Sequence, residues 1–430
     1  MNAPIPDGLD ITHAPDTPSW VASANAPDTD FPIQNLPLGR FRTSSTGDWR
    51  IGVAIGSCVL DLQAAGLIDH ADMARLLSMP RASMRALRTT MWQGLRAGAP
   101  KQSQWGHALH AQSAVQMGLP CAVGDFTDFY TGIHHATRVG TMFRPEQPLM
   151  PNYKWVPIGY HGRASSLLAS GQDFHRPVGQ TLPAGADAPV LQPCQRLDYE
   201  LELAIWIGQG NTWGHRIDID QAQDHIAGIT LLNDWSARDI QTWEYQPLGP
   251  FLAKNFASTV SPWIVTLDAL APFRCAPMVR APEDPQPLPY LHSQSDQAGG
   301  AWDIRLEVWL QTQAMRDAGS AGQCLSRSGM RDAYWTAAQL LAHHTVGGCN
   351  LRTGDVLGTG TLSGPLPGQE ASLLELSQGG RSPLQLANGE TRCFLHDGDR
   401  VSLRGFCEKP GARRIGFGPC TATVLAALPA

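Results

Sequence analysis

The sequence predicts a mainly β protein with some α-helix, divided into a small N-terminal part and a larger C-terminal part. Three observations carry this. Beyond residue 120, short apolar segments with strand character follow one another: "ITLLND", "PWIVTL", "WDIRLEVWLQT", "RCFLHDGDRVSLRGF" and "CTATVLAAL". Turn pairs such as Asn388-Gly389 and Asp397-Gly398 separate several of them. Helical spacing, by contrast, is concentrated in residues 63–117 and in "DAYWTAAQLLAHHTV", so no regular βαβ array is present.

Residues 1–29 are rich in Pro, Asp and Thr and are expected to form a loose tail. Residues 30–62 hold short apolar runs broken by Gly, Asn and Pro, the pattern of a small β-unit. Residues 63–117 read as helices interrupted at Pro80 and Gly94. The turn-rich stretch "MGLPCAVGDFTDFYTG" places a boundary near residue 120, giving domains 30–120 and 121–430. Within the second, "LDYELELAIWIG" (197–208) alternates every second residue. Asp198, Glu200 and Glu202 share one face; Tyr199, Leu201, Leu203, Ile205 and Ile207 share the other and read as core. Three like charges on one face repel, so that face looks either at water or at a cation.

The 430 residues are 43% hydrophobic and 16% charged, the composition of a globular protein. A net charge of −6 points to neither nucleic acid nor an anionic membrane as partner. No apolar run has transmembrane length, and no basic-then-apolar leader opens the chain. Nine scattered cysteines without a C-x-x-C pair favour reduced thiols in a cytoplasm. The serine-hydrolase elbow, the P-loop and the H-E-x-x-H zinc motif are absent, and "GQGNTWG" and "GTGTLSG" miss the dinucleotide spacing by one residue.

Hard divalent cations take oxygen ligands, mostly carboxylate. Glu200 and Glu202 offer two; Asp128 in "GDFTDFYTG" and Asp234 at the end of "ITLLND" offer two more. Taken singly, each acid is more often a cap or a solvated residue; together they suffice for one ion. In "HHATRVG", His134 and His135 would point opposite ways on a strand, so at most one serves a given site as a general base. Lys254, one of only four lysines, sits in a Pro-Gly-aromatic segment that suits oxyanion stabilisation. Arg238, Gln241 and Tyr245 align on one face if "SARDIQTWEYQ" is helical. Two readings of Arg238 stand side by side: a site cation, or a surface partner of Asp239 or Glu244.

These residues lie in blocks that occur in a fixed order: "DFTDFYTGIHHATRVGTMFRP", "PIGYHGRASS", "LDYELELAIWIG", "NDWSARDIQTWEYQPLGPFLAKNF", "HHTVGGCNLRTGDVLGTGTLSG" and "LLELS". Together they closely resemble the fumarylacetoacetase family, and "DFPIQNLPLGRF" and "RIGVAIG" resemble its small N-terminal domain. The resemblance implies an SH3-like N-terminal barrel, a larger β-roll catalytic domain and a homodimer. It implies metal-dependent hydrolysis of the carbon–carbon bond of 4-fumarylacetoacetate to fumarate and acetoacetate, the last step of tyrosine and phenylalanine degradation. Carried over by motif, Asp128, Glu200, Glu202 and Asp234 would bind Ca²⁺, with Lys254 and Ser258 near a second cation, Mg²⁺. His135 would be the base, oriented by Glu375. Arg238, Gln241 and Lys254 would stabilise the oxyanion, and Tyr130, Arg144, Tyr160, Gln241, Tyr245 and Thr361 would contact substrate. Two other readings are carried forward: hydrolysis or decarboxylation of smaller keto acids such as acylpyruvates, and metal-dependent binding without catalysis.

Overall fold

The computed structural model describes residues 9–429. Its central element is an eight-stranded sheet. The order runs Gly159–Gly162, Phe126–Phe129, Val356–Gly358, Leu201–Ile207, Ile226–Asp234, Ser258–Val260 and Leu167–Ala169, with Val265–Thr266 also pairing Ile226–Asp234. The longest register joins Leu201–Ile207 antiparallel to Ile226–Asp234. Both strands are apolar nearly throughout because both faces are covered. Leu201, Leu203, Ile205 and Ile207 pack into the main core with Leu306, Val308 and Leu403 from a second, six-stranded sheet and with Phe417 beside it. Gly405 allows the two sheets to approach, since a Cβ there would lie 2.7 Å from Leu231.

The opposite face of Leu201–Ile207 carries Ala204 and Trp206 into a separate core with Ile33, Leu38, Ile51, Val53, Leu60, Leu76 and Trp92. These come from a five-stranded antiparallel sheet of residues 38–117 and the helices beside it. Trp206 is fully buried there, and its indole N–H donates to Thr230 Oγ1 at 3.0 Å. The N-terminal unit therefore roofs the outer face of the central sheet.

The expected two-residue alternation over 197–208 is regular only from Leu201 onward. Leu197–Asp198 pairs instead with Ser236–Ala237 as a separate small ladder, which turns Asp198 away from Glu202. The helices expected over 63–117 are Met73–Leu77, Arg81–Leu95 and Gln102–Trp105, whereas Leu109–Ala111 and Gln116–Met117 are strands of the N-terminal sheet. Pro80 starts the Arg81–Leu95 helix, but Gly94 does not interrupt it. Its lack of a side chain admits the Trp105 ring, which a Cβ would approach to 2.1 Å.

The expectation of a loose tail over residues 1–29 falls partly outside the described residues and does not hold for 9–29. Thr12, Ser19, Val21 and Ala24 are buried. The Pro-rich backbone makes only an isolated bridge at Ser19, and side chains satisfy several of its carbonyls. Arg413 donates to Asn25 O and Ala26 O, and Arg414 to Asp28 O and Thr29 O.

Gly94→Ala should cost about 1–3 kcal/mol through overpacking against Trp105. Chemical denaturation of the purified chain measures this; an unchanged midpoint would show that the indole moves aside freely.

Candidate active site

The site forms where strands of the central sheet meet three helices, Ile133–Phe143, Arg238–Glu244 and Leu373–Leu376. Asp128 lies in Phe126–Phe129, Glu202 in Leu201–Ile207 and Asp234 at the end of Ile226–Asp234. One carboxylate oxygen from each comes within 4.8 Å of the others. All three residues are at most 3% exposed. Asp234 is fully engaged: Ser258 Oγ donates to Oδ1 at 2.7 Å, and Lys254 Nζ and the Tyr160 hydroxyl donate to Oδ2 at 2.7 and 3.1 Å. Asp128 Oδ1 and Glu202 Oε1, by contrast, are buried without a hydrogen-bond partner.

The electrostatics follow. Burial, then the charge of Asp234, pushes the Asp128 carboxyl well above its ordinary 3.8. Burial, then the charge of Asp128, does the same to Glu202 relative to 4.5. Two unpartnered carboxylate oxygens facing a third carboxylate, in a dry interior, fit a hard divalent cation. Such an ion would be held by Asp128, Glu202 and Asp234.

Glu200 stands slightly apart from this group. Its Oε2 takes a hydrogen bond from Lys254 Nζ at 2.5 Å, and its Oε1 lies 2.8 Å from Arg238 Nη1. Despite burial, these two cations hold Glu200 well below the usual carboxylate range. Of the four expected ligands, three thus converge, and the fourth bridges the two buried cations. Lys254 is raised by Asp234 and Glu200 against the effect of burial, so it stays charged.

Arg238 opens the Arg238–Glu244 helix and is buried. Its Nε donates to Asp198 Oδ2 at 3.0 Å and its Nη1 to Gln241 Oε1 at 3.2 Å. The surface pairing with Asp239 or Glu244 does not form. Asp239 accepts from Cys194 Sγ and the Gln195 backbone, while Glu244 caps the backbone N–H groups of Phe251 and Ala253.

His135 lies on the Ile133–Phe143 helix, not on a strand, and is 2% exposed; His134 points to a half-buried position. Its Nδ1 is 2.6 Å from Glu375 Oε2. The same oxygen accepts from Ser363 Oγ at 2.8 Å and Ser372 Oγ at 2.9 Å, while Arg138 reaches Oε1 at 3.3 Å. Burial would raise Glu375, but His135 and these hydroxyls outweigh it and hold the carboxyl below its ordinary value. An ionised Glu375 fixes the tautomer with the proton on Nδ1 and leaves Nε2 free to accept one. Tyr130 stands edge-on to the imidazole with ring centroids 5.7 Å apart.

Among the expected substrate contacts, Tyr130, Tyr160 and Gln241 adjoin the cluster, and Thr361 is buried beside Gly132. Arg144 and Tyr245 are not brought in. Arg144 is exposed and donates to Pro148 O, and the Tyr245 hydroxyl meets only Gln246. Ser363, Ser372 and Arg138 were not singled out from the sequence. Ser372-Leu-Leu-Glu375 has the S-x-x-E spacing of a helix cap, and Arg138 follows His135 by one helical turn, so both signals were present.

Fold and site together define a protein built to hold a divalent cation beside a histidine–carboxylate pair, the equipment of a water-activating hydrolase. Residues 126–425 match the family model described as "Fumarylacetoacetate (FAA) hydrolase C-terminal", and residues 34–120 match "Fumarylacetoacetase N-terminal". The chain is 46% identical over 423 residues to fumarylacetoacetase of Arabidopsis thaliana, covering 94% of this chain and 97% of that protein. It is 45% identical over 424 residues to human fumarylacetoacetase, covering 94% and 98%. The chain belongs to the fumarylacetoacetate hydrolase family. A fumarylacetoacetate hydrolase from Exiguobacterium antarcticum shares the fold at 16% identity, with a TM-score of 0.51 over 91% of this chain and 99% of that one.

The raised carboxyls of Asp128 and Glu202 give the site a definite pH response. In the cation-free protein their stabilising share is complete below about pH 4 and is lost as pH rises through the raised values. Cation binding needs the deprotonated pair, so its slope is opposite. The rise in Tm on adding Ca²⁺ to chelated protein should therefore grow with pH above the 3.8–4.5 range. Scanning calorimetry at mildly acidic and mildly alkaline pH measures it, and an increment that stays flat or shrinks would contradict this assignment.

Proposed function

We propose that this chain hydrolyses the carbon–carbon bond of 4-fumarylacetoacetate to fumarate and acetoacetate, the closing step of tyrosine and phenylalanine degradation. The observation that carries the reading is the His135–Glu375 pair within electrostatic reach of Glu200, which shares Lys254 with Asp234 of the Asp128–Glu202–Asp234 group. High identity over nearly the whole length of named fumarylacetoacetases supports the substrate.

Asp128, Glu202 and Asp234, with Glu200 as a fourth donor, would hold a Ca²⁺ or Mg²⁺ ion, which would supply Lewis-acid polarisation of a substrate carbonyl. Ser258 and the Lys254 ammonium, both on Asp234, would lie near a second ion without Lys254 ligating it. The residues do the rest. Glu375 keeps Nδ1 of His135 protonated, so Nε2 takes a proton from water as that water attacks the carbonyl carbon. Arg238, Gln241 and Lys254 face the oxyanion of the tetrahedral adduct. Collapse of the adduct breaks the bond to the neighbouring carbon, which leaves as an enolate. The His135 imidazolium returns its proton to that carbon. The proton taken from water thus ends on acetoacetate and its oxygen on fumarate. Tyr130 and Tyr160 bound the space beside these groups and orient the substrate, joined by Arg144, Tyr245 and Thr361 when it binds.

The chain works as a homodimer in the cytoplasm. The dimer is supported by the exposed apolar run Trp243, Leu248 and Phe251, the last two 97% and 68% exposed, beside Leu191 at 68%. The compartment is supported by nine free cysteines, five of them partly or fully open to solvent. No helix among the described residues is long and apolar enough to cross a membrane.

Loss of the ultraviolet absorbance of fumarylacetoacetate, followed before and after chelation and on Ca²⁺ or Mg²⁺ add-back, tests substrate and cation together. Turnover that chelation removes and the ion restores is the expected result; no turnover with the ion present would redirect the substrate to acylpyruvates. His135→Ala should lower kcat by about 10²–10⁴-fold with Ca²⁺ binding retained by calorimetry. Unchanged turnover would take His135 out of the mechanism and favour binding without catalysis.

A further inference from the structure

The mechanism above leaves one fully buried carboxylate of this region, Asp198, unused. Asp198 is 0% exposed, yet it is not among the three acids that converge for a cation. Its oxygens are instead spent on two different elements. Oδ1 accepts from the backbone N–H of Leu373 at 2.7 Å and of Tyr199 at 2.8 Å. Oδ2 accepts from the N–H of Leu374 at 3.0 Å and from Arg238 Nε at 3.0 Å, with Arg238 Nη2 at 2.9 Å.

Leu373 and Leu374 are the first two residues of the Leu373–Leu376 helix, whose third residue is Glu375. The first N–H groups of a helix have no partner within it. Here Asp198 takes two of them, and Ser372 Oγ takes the third, that of Glu375 itself at 3.3 Å. Asp198 therefore fixes the start of the helix that carries Glu375 at one end and the guanidinium of Arg238 at the other. Arg238 and Glu375 make no contact with each other among the hydrogen bonds and ion pairs of the described residues. Burial pushes Asp198 up, and Arg238 and the two amides offset this only in part.

We infer that Asp198 is a positioning residue that holds the water-activating pair and the oxyanion cation at a fixed separation. This rests on the hydrolase reading above. Its chemistry is to share one carboxylate between a helix start and a guanidinium, so that displacement of either is felt by the other. A general base and an oxyanion donor misplaced by a fraction of an ångström lose rate while leaving the binding of substrate largely intact. Asp198 touches neither the substrate nor the cation acids, so its loss acts through Glu375 and Arg238.

Asp198→Asn is the discriminating variant. In one orientation it keeps an acceptor for Leu373 and sets its amide NH₂ against Arg238 and Leu374; flipped, it sets the NH₂ against Leu373 and Tyr199, so in either case donors stand where an acceptor stood. The expected result is a fall in kcat of about 10²-fold with KM changed by less than about threefold and Ca²⁺ affinity by calorimetry kept. In the proton NMR spectrum, the low-field signal of the His135 Nδ1 hydrogen bond to Glu375 should move or broaden. Adding Glu375→Gln to Asp198→Asn should cost far less than it does alone. A kcat within about threefold of the parent, or an unmoved low-field proton, would overturn the inference. So would full additivity with Glu375→Gln. Should Asp198→Asn not fold, Arg238→Lys reads the same link from the other end. The low-field proton then shifts if Asp198 transmits the change and stays put if it does not. Failure of the hydrolase reading looks different, because the unaltered chain would not turn over fumarylacetoacetate. The proton signal would still report whether Asp198 holds Glu375.

Discussion

Uncompensated negative charge in a dry interior is the constraint around which this molecule is built. Asp128, Asp198, Glu200, Glu202, Asp234 and Glu375 are all buried within one region, against two buried permanent cations, Arg238 and Lys254, the His135 imidazole, and the half-buried Arg138 at Glu375. If all six acids were ionised, the two buried permanent cations would leave four charges unbalanced. Isolated buried carboxylates cost so much that they take up protons instead. The structure shows where the deficit settles. Glu200, held by both Arg238 and Lys254, and Glu375, held by His135 and two hydroxyls, stay low; Asp128 and Glu202, which lack such partners, are driven up, and so is Asp198, whose burial outweighs its single guanidinium. A divalent ion would make up the balance at the one place where no side chain does.

Such a cluster needs a scaffold that pays for it elsewhere. Each of the three converging acids sits on a strand of one sheet, where ladder hydrogen bonds fix the backbone on both sides. The apolar residues between them bury both faces of that sheet, one against the second sheet and one against the N-terminal unit. Removing the N-terminal roof would open Ala204 and Trp206, two and four residues from Glu202, to water. The small unit thus belongs to the site energetically although it supplies none of its acids.

Much of this was legible beforehand, for identifiable reasons. Glu200 and Glu202 stood out because two carboxylates on one strand face are costly without a cation, and Lys254 because lysines are rare in this chain. What sequence could not show was convergence. The partners lie far apart in the chain: Asp128 and Asp234 meet across 106 positions, and His135 and Glu375 are separated by 240. Asp198 was placed on the same face as Glu200 by alternation, and that failed because pairing with Ser236–Ala237 breaks the strand between them. His135 looked like a strand residue for want of a cap signal at Gly132, which carries no side chain to cap with. The ordered course of residues 9–29 was hidden for a similar reason. Beyond a local cap at Asp10–His13, it is held by Arg413 and Arg414, from the far end of the chain.

The geometry between cation acids and base follows from a connection of only a few residues. His135 comes seven positions after Asp128, and the chain between them leaves the sheet, turns at Gly132 and enters the helix. At Gly132 the backbone passes so close to the Thr361 carbonyl that a Cβ would lie 2.1 Å from that oxygen. On the other side, Gly360 crosses Phe129 O with a left-handed φ of 73°, a course that a Cβ, at 2.2 Å from that oxygen, would also block. The segment that supplies Thr361 also supplies Ser363, the hydroxyl on Glu375. A close glycine crossing thus locks the strand that carries Asp128 and the helix that carries His135 to the segment that steadies the glutamate. General-base catalysis tolerates little slack between a base and the carbonyl it serves. Here that tolerance is met by the covalent shortness of the turn and by the absence of two side chains, not by any single contact in the site.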